Sequence, residues 1–110
     1  MRQHVQIGPS RYRIRKLKWN SKLLAGSRGF AADNNQIGLR NDMPKDMEAE
    51  VFMHELLHGI WFTFDISKMN VKNLESAEEF VITTMSTALC TVFVQNPWLL
   101  DYLKKGLLKK

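Results

Sequence analysis

The rhythm of apolar and polar residues changes once along this chain, near residue 43. Before that point apolar residues tend to alternate with polar ones; after it they recur every three or four positions. Segment 4–19, HVQIGPSRYRIRKLKW, reads as two strands around a turn at Gly8, Pro9 and Ser10. Tyr12 and Ile14 share one phase, whereas Leu17 and Trp19 fall on the other, so the pattern predicts a bulge near Arg15 and Lys16. Segment 21–29 reads as a loop. Segment 29–40, GFAADNNQIGLR, predicts a hairpin: Phe30 and Ala32 alternate, Asp33, Asn34 and Asn35 supply turn chemistry, and Ile37 and Leu39 alternate on the return.

A first helix is predicted from Pro44, a favoured opening residue, to about Asp65. Asp46, Glu48 and Glu50 sit in its early turns, where the helix dipole favours negative charge. Val51, Phe52, Leu56, Ile60 and Phe64 form its apolar stripe. After a connector, a second helix is expected from Ser76 as N-cap, with Val81, Met85, Ala88, Leu89 and Val92 at three-four spacing. Asn96 and Pro97 end it and open a short third helix, which Gly106 should loosen. The whole, residues 1–110, is read as one α+β domain: a strand-rich half over 1–43, a helical half over 44–105 and a basic tail over 106–110. A small antiparallel sheet is expected to pack on the first helix, with the second helix beside it.

Composition narrows the function classes. The single cysteine, Cys90, rules out an intramolecular disulfide and a cysteine-rich zinc site, and is expected in the core. No apolar run of about 20 residues and no signal-peptide pattern stand out, so the expectation is a cytoplasmic protein without a membrane partner. The net charge is +5, with Arg11, Arg13 and Arg15 on one strand face and Lys104, Lys105, Lys109 and Lys110 at the C-terminus. A solvated surface is the favoured reading of that charge, and a nucleic-acid partner the lesser one.

The chemistry lies in MHELLHG, residues 53–59. His54 and His58, four apart, lie one turn apart on one helix face and can reach one metal ion at about 2.0–2.1 Å. Glu55 is one step round the helix, placed to reach a water on that ion; this is the H-E-x-x-H logic of two ligands and a general base. Gly59 should let another helix approach beside His58. A catalytic zinc needs a third protein ligand, and a third histidine is absent, since Trp61 and Phe64 stand at the positions where an extended motif would carry Gly and His. The second helix offers Glu78, which shares a face with Ile82, Met85 and Leu89; Glu79 is the alternative, and Glu75 and Asp65 remain open. Tyr12 or Tyr102 can donate to a developing oxyanion, but no spacing argument selects either. Trp61, Phe62 and Trp98 read as packing groups.

HELLHG followed about twenty residues later by EEFV resembles the gluzincin branch of zinc metallopeptidases, in which a glutamate on the next helix is the third ligand. Glu78 fits that position, although Val81 and Ile82 stand where many members carry a small residue followed by Asp or Asn. The succession QIGLRNDMP, HELLHGIW, EEFV and QNP, over roughly residues 5–103, resembles the small HExxH proteins of phages and prophages, which are related in outline to ImmA/IrrE-like metallopeptidases. The resemblance implies a minimal zincin-like fold, one Zn²⁺ per chain held by His54, His58 and Glu78 (alternatively Glu79), and a protein or peptide substrate cleaved with Glu55 as base. It also implies a location in the host cytoplasm if the chain is phage-encoded. In such enzymes the strand before the active-site helix forms the cleft edge, which here implies Gln36, Ile37, Gly38, Leu39 and Arg40 as substrate-binding residues. The rival expectation is a catalytically idle binding or phage structural protein on the same scaffold.

Overall fold

In the computed structural model, which describes residues 1–32, 34–66 and 73–108, the N-terminal hairpin is β1 (His4–Ile7) and β2 (Ser10–Leu17). Gly8 takes the left-handed backbone, φ +58°, that a two-residue hairpin with glycine first requires. A second hairpin joins β3 (Gly29–Ala32) to β4 (Gln36–Arg40), closed by a bond from the Asn35 N–H to the Ala32 carbonyl, with Asn35 itself left-handed. Both hairpins lie where the alternation predicts them. Their assembly differs: the strand order is β1-β2-β4-β3, and β4 runs parallel to β2. The sheet is therefore mixed, not antiparallel. The turn-rich segment between β2 and β3, anchored by buried Leu24, carries the chain past the place that β4 later fills. Ile37 and Leu39 are fully buried, and a strand so apolar gains most at the centre of the sheet.

No bulge is needed in β2. Residues 13–17 pair in step with 36–40, and Trp19 lies beyond the strand end, 68% exposed. The change of phase resolves differently: Lys16 is on the helix-facing side, with its ammonium 2.6 Å from Glu48 of the first helix. That helix, α1 (Lys45–Thr63), lays Phe52, Leu56 and Ile60 on Val5, Ile7, Tyr12, Ile14, Ile37 and Leu39. The other face of the sheet carries Arg11 and Arg13 into solvent.

The second helix, α2 (Leu74–Gln95), starts two residues before Ser76, because the Asn73 side chain caps it by accepting from the Ser76 N–H. It does not lie along α1 as expected. Its buried residues are Ala88 and Val92, and its principal packing is on β1. Asn96 accepts from the Gln6 N–H at 2.9 Å and donates to the Gln6 carbonyl at 2.7 Å; Gln95 makes the same pair of bonds with Gly8, each at 3.0 Å. Two consecutive amide side chains thus occupy the outer edge of β1, where another strand would otherwise pair. Cys90, expected in the core, is exposed. By length and composition α2 is apolar enough to cross a membrane, a property the sequence reading did not anticipate. The third helix, α3 (Trp98–Leu107), packs Trp98 and Tyr102 around Phe52. Gly106 lies inside it against Ala49 instead of loosening it. Most of the connector expected before α2, and the last two lysines, lie outside the described residues.

Candidate metal centre

The His-Glu-His cluster forms in the middle of α1 because an unbroken helix carries it. The ligand atoms of His54, Glu55 and His58 all lie within 4.8 Å of one another, and this group can hold a metal ion. The imidazole centroids are 4.9 Å apart with the rings tilted by 70°, and His58 stacks on Phe62 at 6.4 Å. Two nitrogens bound tetrahedrally at zinc distances stand roughly 3.3 Å apart, so small side-chain rotations would suffice for both to bind. Both histidines are exposed and open to an incoming ion, whereas Glu55 is only 7% exposed.

Glu55 is buried because α1 presses β3 at that point. A Cβ on Gly29 would stand 2.9 Å from Val51 Cγ1 and 3.4 Å from Glu55 Cγ. The bare backbone of Gly29 makes the room that the carboxyl occupies. Burial raises the Glu55 pKa above its ordinary 4.5, and this outweighs the opposite pull of His54 and His58. A partly desolvated carboxylate beside two imidazoles is a stronger proton acceptor than an exposed one.

The other sequence candidates are distributed differently. Glu78 and Glu79 are both exposed on α2 and do not belong to the group around His54 and His58; Glu79 accepts a hydrogen bond from Thr83. Glu75 and Asp65 are exposed and outside it too. Gly59 admits the sheet instead of a helix: a Cβ there would stand 2.8 Å from Ile7 Cδ1 and 3.5 Å from the Tyr12 ring. Tyr12 is buried beneath α1, its hydroxyl donating to the Gly59 carbonyl and accepting from Thr63. Tyr102 donates to Glu48 at 2.8 Å, and burial together with that carboxylate pushes its phenol far up. Both hydroxyls are thus engaged with groups other than His54, Glu55 and His58.

The assignment of Gln36, Ile37, Gly38, Leu39 and Arg40 as a cleft edge is overturned. β4 is paired on both sides, with β2 and with β3, so its backbone groups are used in two ladders. The open edge next to the cluster is β3. The Arg40 N–H bonds to the Arg28 carbonyl, and the antiparallel alternation from that pair turns the backbone of Gly29 and Ala31 outward. The run Ile37, Gly38, Leu39, apolar on both faces, was the sequence signal for a central strand. Comparison with known proteins finds no matching family model, curated protein or solved structure.

Proposed function

We propose that this chain is a zinc-dependent peptidase whose centre is His54, His58 and Glu55. The observation that carries the reading is the pairing of two exposed imidazoles, four residues apart on one helix, with a buried carboxyl of raised pKa beside them. Two nitrogens and an adjacent acid suit zinc better than calcium or magnesium, which prefer all-oxygen sites. Bound zinc supplies Lewis acidity, polarising a carbonyl and bringing the pKa of a ligated water near 7. His54 and His58 hold the ion. Glu55 takes the proton from the attacking water and returns it to the leaving amine. An extended peptide pairing with the outer edge of β3 through Gly29 and Ala31 would run past Glu55 and would share or displace the Ser27 hydroxyl that donates to the Gly29 carbonyl.

Glu78 is the third ligand in this reading, with Glu79 the alternative. Neither carboxylate stands in the group around His54 and His58, so either would have to approach it by side-chain rotation or by a shift of the N-terminal half of α2, which is tied down through its C-terminal half. One observation favours a second reading, a metal-binding scaffold without hydrolysis: among the described residues no metal-ligating His, Cys, Asp or Glu other than Glu55 stands beside the two histidines.

The test is metal content and peptide-library cleavage by wild type, His58→Ala and Glu55→Gln. One zinc per wild-type chain, lost in His58→Ala, is expected. Glu55→Gln should keep zinc while cleavage falls by about 10²–10⁴, the usual contribution of a positioned base. Folded wild type that takes up no zinc would refute the centre; zinc uptake with no cleavage of any peptide would leave the scaffold reading.

A further inference from the structure

The four strands hold five cations and no carboxylate: Arg11, Arg13, Arg15, Lys16 and Arg40. Residues 1–40 carry nine Lys and Arg against one acid, so the charge of the chain is concentrated on its sheet half. Lys16, the one strand cation on the α1 side, is paired with Glu48, and Arg40 is paired with Asp42. Among the described residues, Arg11, Arg13 and Arg15 have no carboxylate within ion-pair distance. Alternate strand residues are about 6.7 Å apart, so the three guanidinium groups form a row of one sign of charge, with no carboxylate paired to it among the described residues. A merely solvated face needs polar groups, but it does not need one sign of charge.

Two further features share this face. A Cβ on Gly38 would clash with Phe30 Cε1 and stand 2.6 Å from its Cζ, so the Phe30 ring packs directly on the Gly38 backbone, beside Arg15, which stands opposite Gly38 in the ladder. At the other margin a groove of about 410 Å³ runs between β1 and the start of α3, lined by Arg2, His4, Arg11 and Trp98 among others. Cations thus extend from that groove across β2 toward the Phe30 ring. α1 occupies the opposite face, and Asn96 closes the β1 edge without covering the arginines.

We propose that this outer sheet face binds single-stranded nucleic acid, with Arg11, Arg13 and Arg15 on successive phosphates and a base stacked on Phe30. Charge complementarity selects a polyanion. The predominance of arginine suits phosphate recognition, and the aromatic ring selects a ligand with bases to stack over an acidic peptide or a lipid surface. The face is separated from Glu55 by the sheet, so binding is independent of the proposed peptidase and should persist in Glu55→Gln.

The experiment is fluorescence anisotropy of the full chain with short labelled DNA and RNA single strands, a matched duplex, anionic phospholipid vesicles and polyglutamate, between about 50 and 200 mM salt. Each variant is checked for its fold by circular dichroism. Single strands should bind best. Combined Arg11→Gln, Arg13→Gln and Arg15→Gln should weaken binding at least tenfold and flatten the slope of log K against log salt by about 2, at roughly 0.7 per lost phosphate contact. Phe30→Leu should weaken it by about fivefold or more with the slope unchanged. Lys104→Gln with Lys105→Gln, at the far end of α3, should change affinity less than about twofold, as expected when binding is local and not a matter of net charge. The proposal is overturned if the arginine variant binds as wild type does. It is equally overturned if the lysine variant loses as much, or if vesicles, polyglutamate or nothing at all is bound in place of single strands.

Discussion

Replacing Asn96 with alanine tests the join between the two halves of the chain. Asn96 is 4% exposed and makes three side-chain hydrogen bonds: from the Gln6 N–H at 2.9 Å, and to the Gln6 and Val92 carbonyls at 2.7 Å each. The Val92 carbonyl keeps a second partner, the backbone N–H of Asn96 at 3.0 Å, so its loss is cushioned. The two bonds to Gln6 are not. At about 1 kcal/mol for each bond, with an added penalty for a half-buried strand amide left unpaired, Asn96→Ala should cost about 2–3 kcal/mol. For a chain of this size that lowers Tm by roughly 8–12 °C. Gln95→Ala removes the same pair of bonds at an exposed site, where water replaces them, and should cost less than about 1 kcal/mol. Asn96→Asp keeps the acceptor but sets a carboxylate against two carbonyl oxygens. It should be worse than alanine at neutral pH and recover in acid, where the protonated group donates again. Denaturant titration and thermal melts of the three variants give the ordering, and amide exchange at Gln6 gives its local cause. If Asn96→Ala cost no more than Gln95→Ala, with the Gln6 amide still protected, β1 would not depend on the clamp.

Other expectations concern the site and the sheet. Because the Glu55 pKa is raised on folding, the folded chain binds that proton more tightly than the unfolded chain does. The stability of metal-free protein should therefore fall as pH rises from about 4.5 through the folded value, and Glu55→Gln in chelator should be more stable than wild type above that window and equal to it below. Melts across pH decide this, and an advantage independent of pH would contradict it. Zinc affinity should drop on Glu78→Gln and change little on Glu79→Gln if Glu78 is the third ligand, as read by competition with a chromophoric chelator; the reverse order would reassign it. Gly38→Ala should displace the Phe30 ring and cost about 1–3 kcal/mol of stability; an unchanged melt would mean that the ring does not rest on that glycine.

What was legible in the sequence is what short-range geometry controls. The histidine pair forms because positions four apart on any α-helix face the same way, and with these rotamers the rings stand 4.9 Å apart. Both hairpins were legible because Gly8 and Pro9, and the Asp33 to Asn35 run, specify turns locally. Alternation likewise put Arg11, Arg13 and Arg15 on one face. Strand order was not legible, since alternation says which face a residue takes but not which strand it lies beside. Placing β4 at the centre and β3 at the outer edge depended on the path of the segment between β2 and β3. The same applies to α2. Its three-four periodicity defined a stripe, but the neighbour of that stripe was chosen by Asn96 and Gln95 bonding to a strand edge nearly ninety residues earlier. Hence Glu78, on the helix face the periodicity selected, stands away from the histidines. The buried environment of Glu55 came from Gly29, an unremarkable loop-end glycine in the sequence, which only tertiary packing set against α1. Local spacing determined which groups can act together; the desolvation that tunes them arises from contacts between residues remote along the chain.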